Sequence, residues 1–192
     1  MCDLTAHDFH ASRLPGIYGQ SLLSDVEREA LLAAIPDGNI RVLEIGTKDG
    51  ATAAYIAKAR PRADIVSIDT FSGNAAENWQ RNKQRNMTLF VGDIVAFAAE
   101  PRRPYNVVLI DASHHYGSCC VDLAHARRLI TPGGLIVAHD YGRERLPKPF
   151  RRDHLAGVTR AVDEFCAGQR WHIDRQVVSL AFLRRDDEPK AA

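Results

Sequence analysis

Short apolar segments alternate with amphipathic segments along most of the 192-residue chain. The apolar segments are rich in branched side chains and predict strands at 41–45, 64–68, 87–91, 106–110 and 135–138. The amphipathic segments predict helices at 51–60, 94–99, 116–130 and 156–167, and a capping box at Ser24 and Glu27 predicts another that ends near Ile35. Strands that are apolar on both faces are typical of a parallel sheet covered by helices on each side. The pattern therefore predicts a doubly wound α/β fold.

The alternation of strands and helices breaks near the end of the chain. Two strand-like segments, 171–174 and 177–183, are separated only by Arg175 and Gln176. Strands so close in sequence are expected to form an antiparallel hairpin. We therefore predict a mostly parallel, seven-stranded sheet that ends in an antiparallel terminal hairpin.

A single domain accounts for most of the chain. We place this domain at 24–184, after an N-terminal arm at 1–23 and before a charged tail at 185–192. Glycines flank Tyr18 in the arm, and such glycines can act as the hinge of a lid that excludes water from a site.

Composition narrows the expected partners and location. The formal net charge is +1, so composition indicates neither nucleic acid nor a membrane surface as a partner. No apolar run approaches the ~20 residues that span a bilayer, and the polar N-terminus lacks a signal-peptide core, so we expect a cytoplasmic protein. The four cysteines show no Cys-x-x-Cys spacing and are expected to be thiols. A homodimer is one option for a short chain with an N-terminal arm.

The end of the first predicted strand carries a glycine-containing turn. Its sequence is Val-Leu-Glu-Ile-Gly-Thr-Lys-Asp-Gly over residues 42–50, with Glu44 followed by Gly46 and Gly50. Glycine lets a backbone approach a ligand closely, and the following helix directs its first amides at the turn. This spacing resembles the first motif of class I S-adenosylmethionine (SAM) methyltransferases, except that Lys48 stands at the position of the middle glycine.

The resemblance implies that SAM is the cofactor and that the fold is the Rossmann-like methyltransferase fold. Asp69 follows the second strand, where this family keeps an acidic residue for the ribose hydroxyls, and Asp93 lies beside the adenine or instead caps the next helix. The cofactor-binding residues implied in this way are Glu44, Gly46, Thr47, Lys48, Gly50, Asp69, Thr70, Gly92, Asp93 and Asp111.

Two later motifs narrow the resemblance. The fourth strand ends in Ile-Asp-x-x-His-x-Tyr at 110–116, and the fifth lies within Pro-Gly-Gly-x-Ile-x-x-His-Asp-Tyr at 132–141. Together they resemble a small bacterial branch of methyltransferases that includes O-methyltransferases of sugars and secondary metabolites. We interpret Gly133 and Gly134 as a helix cap and tight turn before the fifth strand.

Asp111, His139 and Asp140 are the predicted reacting centre, because the tips of the fourth and fifth strands should converge. Their spacing resembles the metal-binding triad of catechol-type O-methyltransferases, with His139 and Asp140 replacing an acidic residue and an amide. Such a set can bind a divalent metal, Mg²⁺ or Mn²⁺, and the nitrogen ligand favours Mn²⁺. In a reaction without metal, His139 or His114 would instead act as general base.

These interpretations predict a SAM-dependent methyltransferase that acts on a hydroxyl oxygen of a small-molecule acceptor. One alternative is a metal-independent N-methyltransferase, and another is a non-catalytic SAM-binding or dimerisation module. The loop at 142–154 is rich in arginine and predicts either a solvated connector or a clamp for an anionic group, with Arg151 and Arg152 as its cations.

Overall fold

Helices and strands alternate along residues 5–19, 23–71, 75–168 and 170–186, the parts of the chain that the computed structural model describes. The strands are β1 (Arg41–Ile45), β2 (Asp64–Asp69), β3 (Met87–Val91), β4 (Tyr105–Ile110), β5 (Ile130–Ala138), β6 (Trp171–Val177) and β7 (Leu180–Arg185). The α-helices are α1 (Asp25–Ala34), α2 (Ala51–Ala59), α3 (Ala75–Asn82), α4 (Ile94–Ala98), α5 (Tyr116–Leu129) and α6 (Ala156–Gly168). Short 3₁₀ helices lie at Ala6–Phe9, Arg143–Arg145 and Asp153–Leu155.

The seven strands form one sheet in the order β3-β2-β1-β4-β5-β7-β6. The first five strands pair in parallel, whereas β7 inserts antiparallel between β5 and β6. Apolar side chains of α1, α2 and α3 pack on one face of the sheet, and those of α4, α5 and α6 pack on the other. The predicted doubly wound α/β fold with a terminal antiparallel hairpin is confirmed.

Helix α3 was not predicted from the sequence. Its sequence, Ala-Ala-Glu-Asn-Trp-Gln-Arg-Asn, is mostly polar, and only Trp79 and Asn82 are buried. A helix that buries so few side chains shows no apolar stripe, and this is why the periodicity of the sequence did not reveal it.

The start of β5 also differs from the prediction. The strand begins at Ile130, which pairs with Tyr105, and it contains Gly133 and Gly134 instead of following them. The register shifts after this pair, and Gly133 has a φ of +73°, which a glycine adopts without strain. A Cβ on Gly134 would lie 2.5 Å from Ile130 Cγ1. The two glycines therefore allow an irregularity within the strand and do not cap a helix.

The hairpin turn lies later in the chain than predicted. Arg175 and Gln176 belong to β6, and the turn is formed by Val178 and Ser179. The φ of Val178 is +53°, which is rare for a branched residue. This turn could not be predicted from residue type, because neither Val178 nor Ser179 is a glycine or proline.

The N-terminal arm is attached to the domain at several points. Asn82 of α3 hydrogen-bonds the Tyr18 main chain on both sides, accepting from its N–H at 2.7 Å and donating to its carbonyl at 2.8 Å. Lys58 of α2 donates to the carbonyl of Gly16 at 2.8 Å. Residues 20–22 of the arm and 187–192 of the tail lie outside the described residues. Every helix in the described parts of the chain is too short or too polar to cross a membrane.

Candidate functional site

The strand order reverses between β1 and β4, so a crevice opens at the carboxyl ends of these strands. Gly46 follows β1 with a φ of +88°, and a Cβ there would lie 2.3 Å from the carbonyl oxygen of Asp111. Gly50 caps α2 in the left-handed conformation. Both glycines are needed because the turn after β1 is pressed against the end of β4 and against α3.

Asp69 ties the turn after β1 to the loop after β2. Its Oδ2 accepts a hydrogen bond from the Lys48 amide and its Oδ1 accepts one from the Phe71 amide, both at 2.7 Å. Lys48 itself is exposed and has a φ of +48°, which explains why a glycine fits this position well. Each carboxylate oxygen has two acceptor positions, so Asp69 retains capacity for a ribose hydroxyl.

Two adjoining pockets, of about 250 and 260 Å³, occupy the crevice. They share Gly46, Asp69 and Ala112, and together they fall in the range of roughly 300–1,000 Å³ typical of small-molecule sites. We call the one toward β3 the base pocket and the one toward His114 the sulfonium pocket, after the parts of the cofactor that the resemblance in the sequence leads us to expect there. The base pocket is lined by Ile45, Gly46, Ile68, Asp69, Thr70, Gly92, Asp93, Ile94, Ala112, Ser113, Ser118 and Asp122. The sulfonium pocket is lined by Glu44, Gly46, Thr47, Lys48, Ala51, Thr52, Asp69, Asp111, Ala112 and His114.

The crevice thus brings together the cofactor-binding residues predicted from the sequence, with the exception of Gly50. Asp93 has the predicted capping role, because its Oδ1 accepts from the Ala96 amide at 2.8 Å at the start of α4, and the residue also lines the base pocket. Thr47 Oγ1 is buried in the sulfonium pocket without a hydrogen-bond partner among the described residues.

Glu44 lines the sulfonium pocket and is buried, with only 1% of the residue exposed. Its Oε2 accepts a hydrogen bond from Ser67 Oγ at 2.8 Å. Burial raises the pKa of Glu44 to about 7, since the loss of water disfavours the carboxylate more than its hydrogen bonds favour it.

Asp111, His139 and Asp140 form a cluster at the tips of β4 and β5. Their ligand atoms all lie within 4.8 Å of one another, with His139 Nδ1 at 2.9 Å from Asp111 Oδ1 and 3.5 Å from Asp140 Oδ2. Asp140 has a φ of +63°, a conformation that aspartate adopts more readily than most residues. One nitrogen and two carboxylate oxygens at these separations fit a divalent metal ion.

Glu27 joins this cluster from α1, and sequence reasoning assigned it only to the capping box. The capping box is present, but Glu27 Oε1 also accepts from the amide and hydroxyl of Ser179 at 2.9 and 2.6 Å. Its Oε2 lies 3.8 Å from His139 Nε2, which is buried and has no other partner among the described residues. With Glu27 behind Nε2, the ring of His139 directs Nδ1 at the two aspartates.

The carboxylates around His139 and His114 raise the pKa of both histidines. Burial alone would lower the pKa of His139, but the charge and hydrogen bond of Asp111, with Glu27 and Asp140, hold it well above its ordinary value. Without a metal, this raised pKa favours the imidazolium form of His139 and disfavours its use as a general base. His114 is more exposed, and its Nε2 lies 3.0 Å from Asp140 Oδ2, a hydrogen bond that raises its pKa.

The arginine-rich loop at 142–154 is largely paired within itself. Arg151 pairs with Asp153, and Arg152 donates to two carbonyl groups of the same loop. Arg145 pairs with Asp163 of α6. The two arginines proposed as an anion clamp thus have other partners in this structure. The loop also meets the arm, because Phe150 stacks on Phe9 with a centroid distance of 4.6 Å.

The sequence model of a protein family described as a methyltransferase domain matches residues 43–141, just over half of the chain. The chain belongs to this family. The match runs from β1 to the residue after Asp140 and so includes both pockets and the acidic cluster of the methyltransferase. No curated protein sequence matches the chain.

Solved structures share the fold of this methyltransferase. One from Staphylococcus aureus, provisionally assigned as a caffeoyl-CoA O-methyltransferase, is 14% identical with a TM-score of 0.68 over 86% of this chain and 85% of its own. An O-methyltransferase from Bacillus cereus in complex with SAH (S-adenosylhomocysteine) is 18% identical, with a TM-score of 0.57 over 81% and 76%. The N-methyltransferase NodS from Bradyrhizobium japonicum is 19% identical, with a TM-score of 0.57 over 83% and 94%.

At these identities the likeness shows the fold alone, and the fold is shared by O- and N-methyltransferases. The family and the fold together indicate a SAM-dependent methyltransferase. The acceptor atom has to be argued from the site itself.

Proposed function

We propose that this SAM-dependent methyltransferase methylates a hydroxyl oxygen of a small molecule with the help of a divalent metal held by Asp111, His139 and Asp140. The observation that carries the proposal is the convergence of these three side chains beside the sulfonium pocket. Asp111 belongs to both, since it lines the pocket and contributes a ligand atom to the cluster.

The chemistry of the donor set supports a metal. Three negative groups, Asp111, Asp140 and Glu27, surround one imidazole, and most of these side chains are withdrawn from water. The imidazolium form of His139 offsets one of these negative charges, and a divalent cation at the cluster would offset the others. A nitrogen ligand suits Mn²⁺ better than Mg²⁺. Such a metal, when bound, would orient an acceptor hydroxyl and lower its pKa.

Methyl transfer is a single displacement, so placing the two reactants in line supplies much of the rate. An oxygen–carbon bond forms at the methyl group while the carbon–sulfur bond breaks, and the hydroxyl proton has to leave. His114 lines the sulfonium pocket and is less enclosed than His139, so it can take up this proton. Asp69 and Glu44 would help to position the cofactor, because both line the crevice in which it is expected to bind.

A metal-free reaction with His114 as general base is the second candidate. The observation that favours it is the 3.0 Å contact between His114 Nε2 and Asp140 Oδ2, which leaves Nδ1 available for a proton. This arrangement would also serve methylation of nitrogen. His139 does not fit the role of base, because its neighbours keep its pKa well above the ordinary value.

Calorimetry and an assay of methyl transfer test these proposals one after the other. We expect the protein to bind SAH, and then to bind Mn²⁺ in a way that is lost in Asp111→Asn but kept in Asp153→Asn, an exposed control of the same chemistry. We also expect a chelator to abolish transfer of radiolabelled methyl from SAM to a panel of catechols, phenols and sugars. Undiminished transfer in metal-free buffer would favour the metal-free reaction with His114 as general base. Failure to bind SAH at millimolar concentration would contradict both proposed reactions.

A further inference from the structure

Asp122 is a buried carboxylate that lies outside the cluster of Asp111, His139 and Asp140. It lies on α5 one turn after Ser118, and both side chains line the base pocket. Only 7% of Asp122 is exposed, and it makes no hydrogen bond or ion pair within the described parts of the chain. Nothing in the sequence around it, Cys-Val-Asp-Leu-Ala, distinguishes it from an ordinary helical aspartate.

The other walls of the base pocket show what kind of group the pocket accommodates. Ile45, Ile68, Ile94 and Ala112 provide apolar surface, which suits the faces of a flat ring. Asp69 and Thr70 lie at the end of β2, where the ribose is expected, and α5 contributes Ser118 and Asp122 from the other side of the sheet crevice. A purine attached to that ribose would therefore direct an edge at α5.

A buried carboxylate that receives no hydrogen bond from the protein is unfavourable. Burial, and to a lesser extent the charge of Asp93, raise the pKa of Asp122 to about 7. An unsatisfied buried acceptor is destabilising, and a ligand that supplies a hydrogen-bond donor recovers this cost. Adenine has such a donor in its 6-amino group, whereas a 6-oxo purine presents an acceptor at the same place.

We propose that Asp122 recognises the 6-amino edge of the adenine and so makes the site specific for an adenosine cofactor. The inference rests on the proposed function, since it requires SAM to bind in this crevice. Asp93, which lines the same pocket, has one oxygen committed to the cap of α4 and is exposed. Asp122 has both of its oxygens available and is the carboxylate shielded from water.

The test compares SAH with S-inosylhomocysteine, its 6-oxo analogue, by calorimetry on the full-length protein. The wild type is expected to bind SAH about 100-fold more tightly, since a site built for a donor rejects a ligand that lacks it. In Asp122→Asn the amide can donate to the 6-oxo group and accept from the ring N–H beside it. The preference should then fall by about tenfold or reverse.

Ser118→Ala is the matched control, because it alters the same face of α5 and the same pocket without changing a charge. We expect it to weaken both ligands alike. Thermal unfolding of Asp122→Asn, with and without SAH, shows whether the variant is folded, and a folded variant that keeps the wild-type preference overturns the inference alone. If the wild type does not bind SAH at all, the proposed function and this inference both fail.

Discussion

The pKa values of two buried carboxylates in this site, Glu27 and Glu44, shift in opposite directions. Burial alone would raise the pKa of Glu27, but the nearby charge of His139, with hydrogen bonds from Ser179 and Ser24, lowers it to about 2. Within the described part of the chain no cation lowers the pKa of Glu44, and burial raises it to about 7. Glu27 is therefore ionised at neutral pH, whereas Glu44 titrates near neutral pH.

The pKa of Glu44 makes a prediction about stability. The unfolded chain releases this proton near the ordinary value of 4.5 and the folded protein near 7, so the free energy of unfolding should decrease as pH rises between these values. One pKa unit corresponds to about 1.4 kcal/mol, which makes the full effect about 3 kcal/mol. In Glu44→Gln this part of the pH dependence should disappear.

Urea unfolding of the ligand-free protein between about pH 4.5 and pH 8 measures this effect. Asp122 contributes in the same direction, because its pKa is also raised to about 7, so the comparison has to be between variants that retain it. Glu29→Gln on the exposed side of α1 is the control. A Glu44→Gln profile that runs parallel to that of Glu29→Gln would show that the Glu44 pKa is not raised.

Glu27 makes a prediction about the metal. A carboxylate behind a histidine ligand fixes the orientation of the ring and raises its basicity, and losing it typically lowers metal affinity about 10–100-fold. Glu27→Gln should keep the capping box, because glutamine also serves at this position. We therefore expect weaker Mn²⁺ binding by calorimetry, with the fold intact by circular dichroism.

Glu29→Gln serves again as the matched variant, two residues along the same helix and exposed. Equal Mn²⁺ affinity in Glu27→Gln and Glu29→Gln would mean that Glu27 only supports the hairpin turn through Ser179. The result would leave the cluster of Asp111, His139 and Asp140 untouched as a candidate metal site.

At the scale of elements, the site depends on contacts between turns that are far apart in sequence. Asp69 joins the turns after β1 and β2, and Glu27 joins α1 to the β6–β7 turn across 152 positions. The sequence predicted the strands, the order of motifs and the convergence of Asp111 with His139, because each follows from the local pattern and the parallel topology. It did not reveal Glu27 or Asp122 as site residues, because their positions in the site come from tertiary packing. In the sequence, each looks like an ordinary acidic residue of a helix.

The contacts of Asp69 predict a coupled effect on stability and binding. Asp69→Ala removes acceptors for two backbone amides, each of which typically contributes about 1–3 kcal/mol when it bonds a charged group. We expect a lower melting temperature together with SAH affinity reduced at least about tenfold, because the Lys48 turn that forms the crevice would lose its anchor. Differential scanning fluorimetry and calorimetry give the two measurements.

Asp64→Ala at the opposite end of β2 is the control for this change. Asp64 pairs with Arg41 on the surface, where ion pairs contribute little. It lies at the amino end of the strand, away from the crevice. If Asp64→Ala reduced SAH affinity as much as Asp69→Ala, the effect would come from general loss of stability and not from the turn.

At the scale of the whole molecule, the arm can be tested as a lid. Arg13, Gly19 and Ala51 of α2 line a small pocket between arm and domain, and Ala51 also lines the sulfonium pocket. Ala51 therefore lies between the arm and a ligand bound in the sulfonium pocket. The attachment of Tyr18 to Asn82 has to break before the arm can open.

Limited digestion with trypsin distinguishes a lid from fixed packing, because Arg13 is exposed within the arm. Cleavage of a folded protein reports local opening, so Asn82→Ala should be cut faster after Arg13 than the wild type. If the arm closes over the cofactor, saturating SAH should slow this cleavage about fivefold or more. Cleavage after the exposed Arg62, beyond α2, is the reference in the same digest, and SAH should affect it less. Equal slowing at both positions would mean that SAH stabilises the whole domain and that the arm is part of the packing, not a lid.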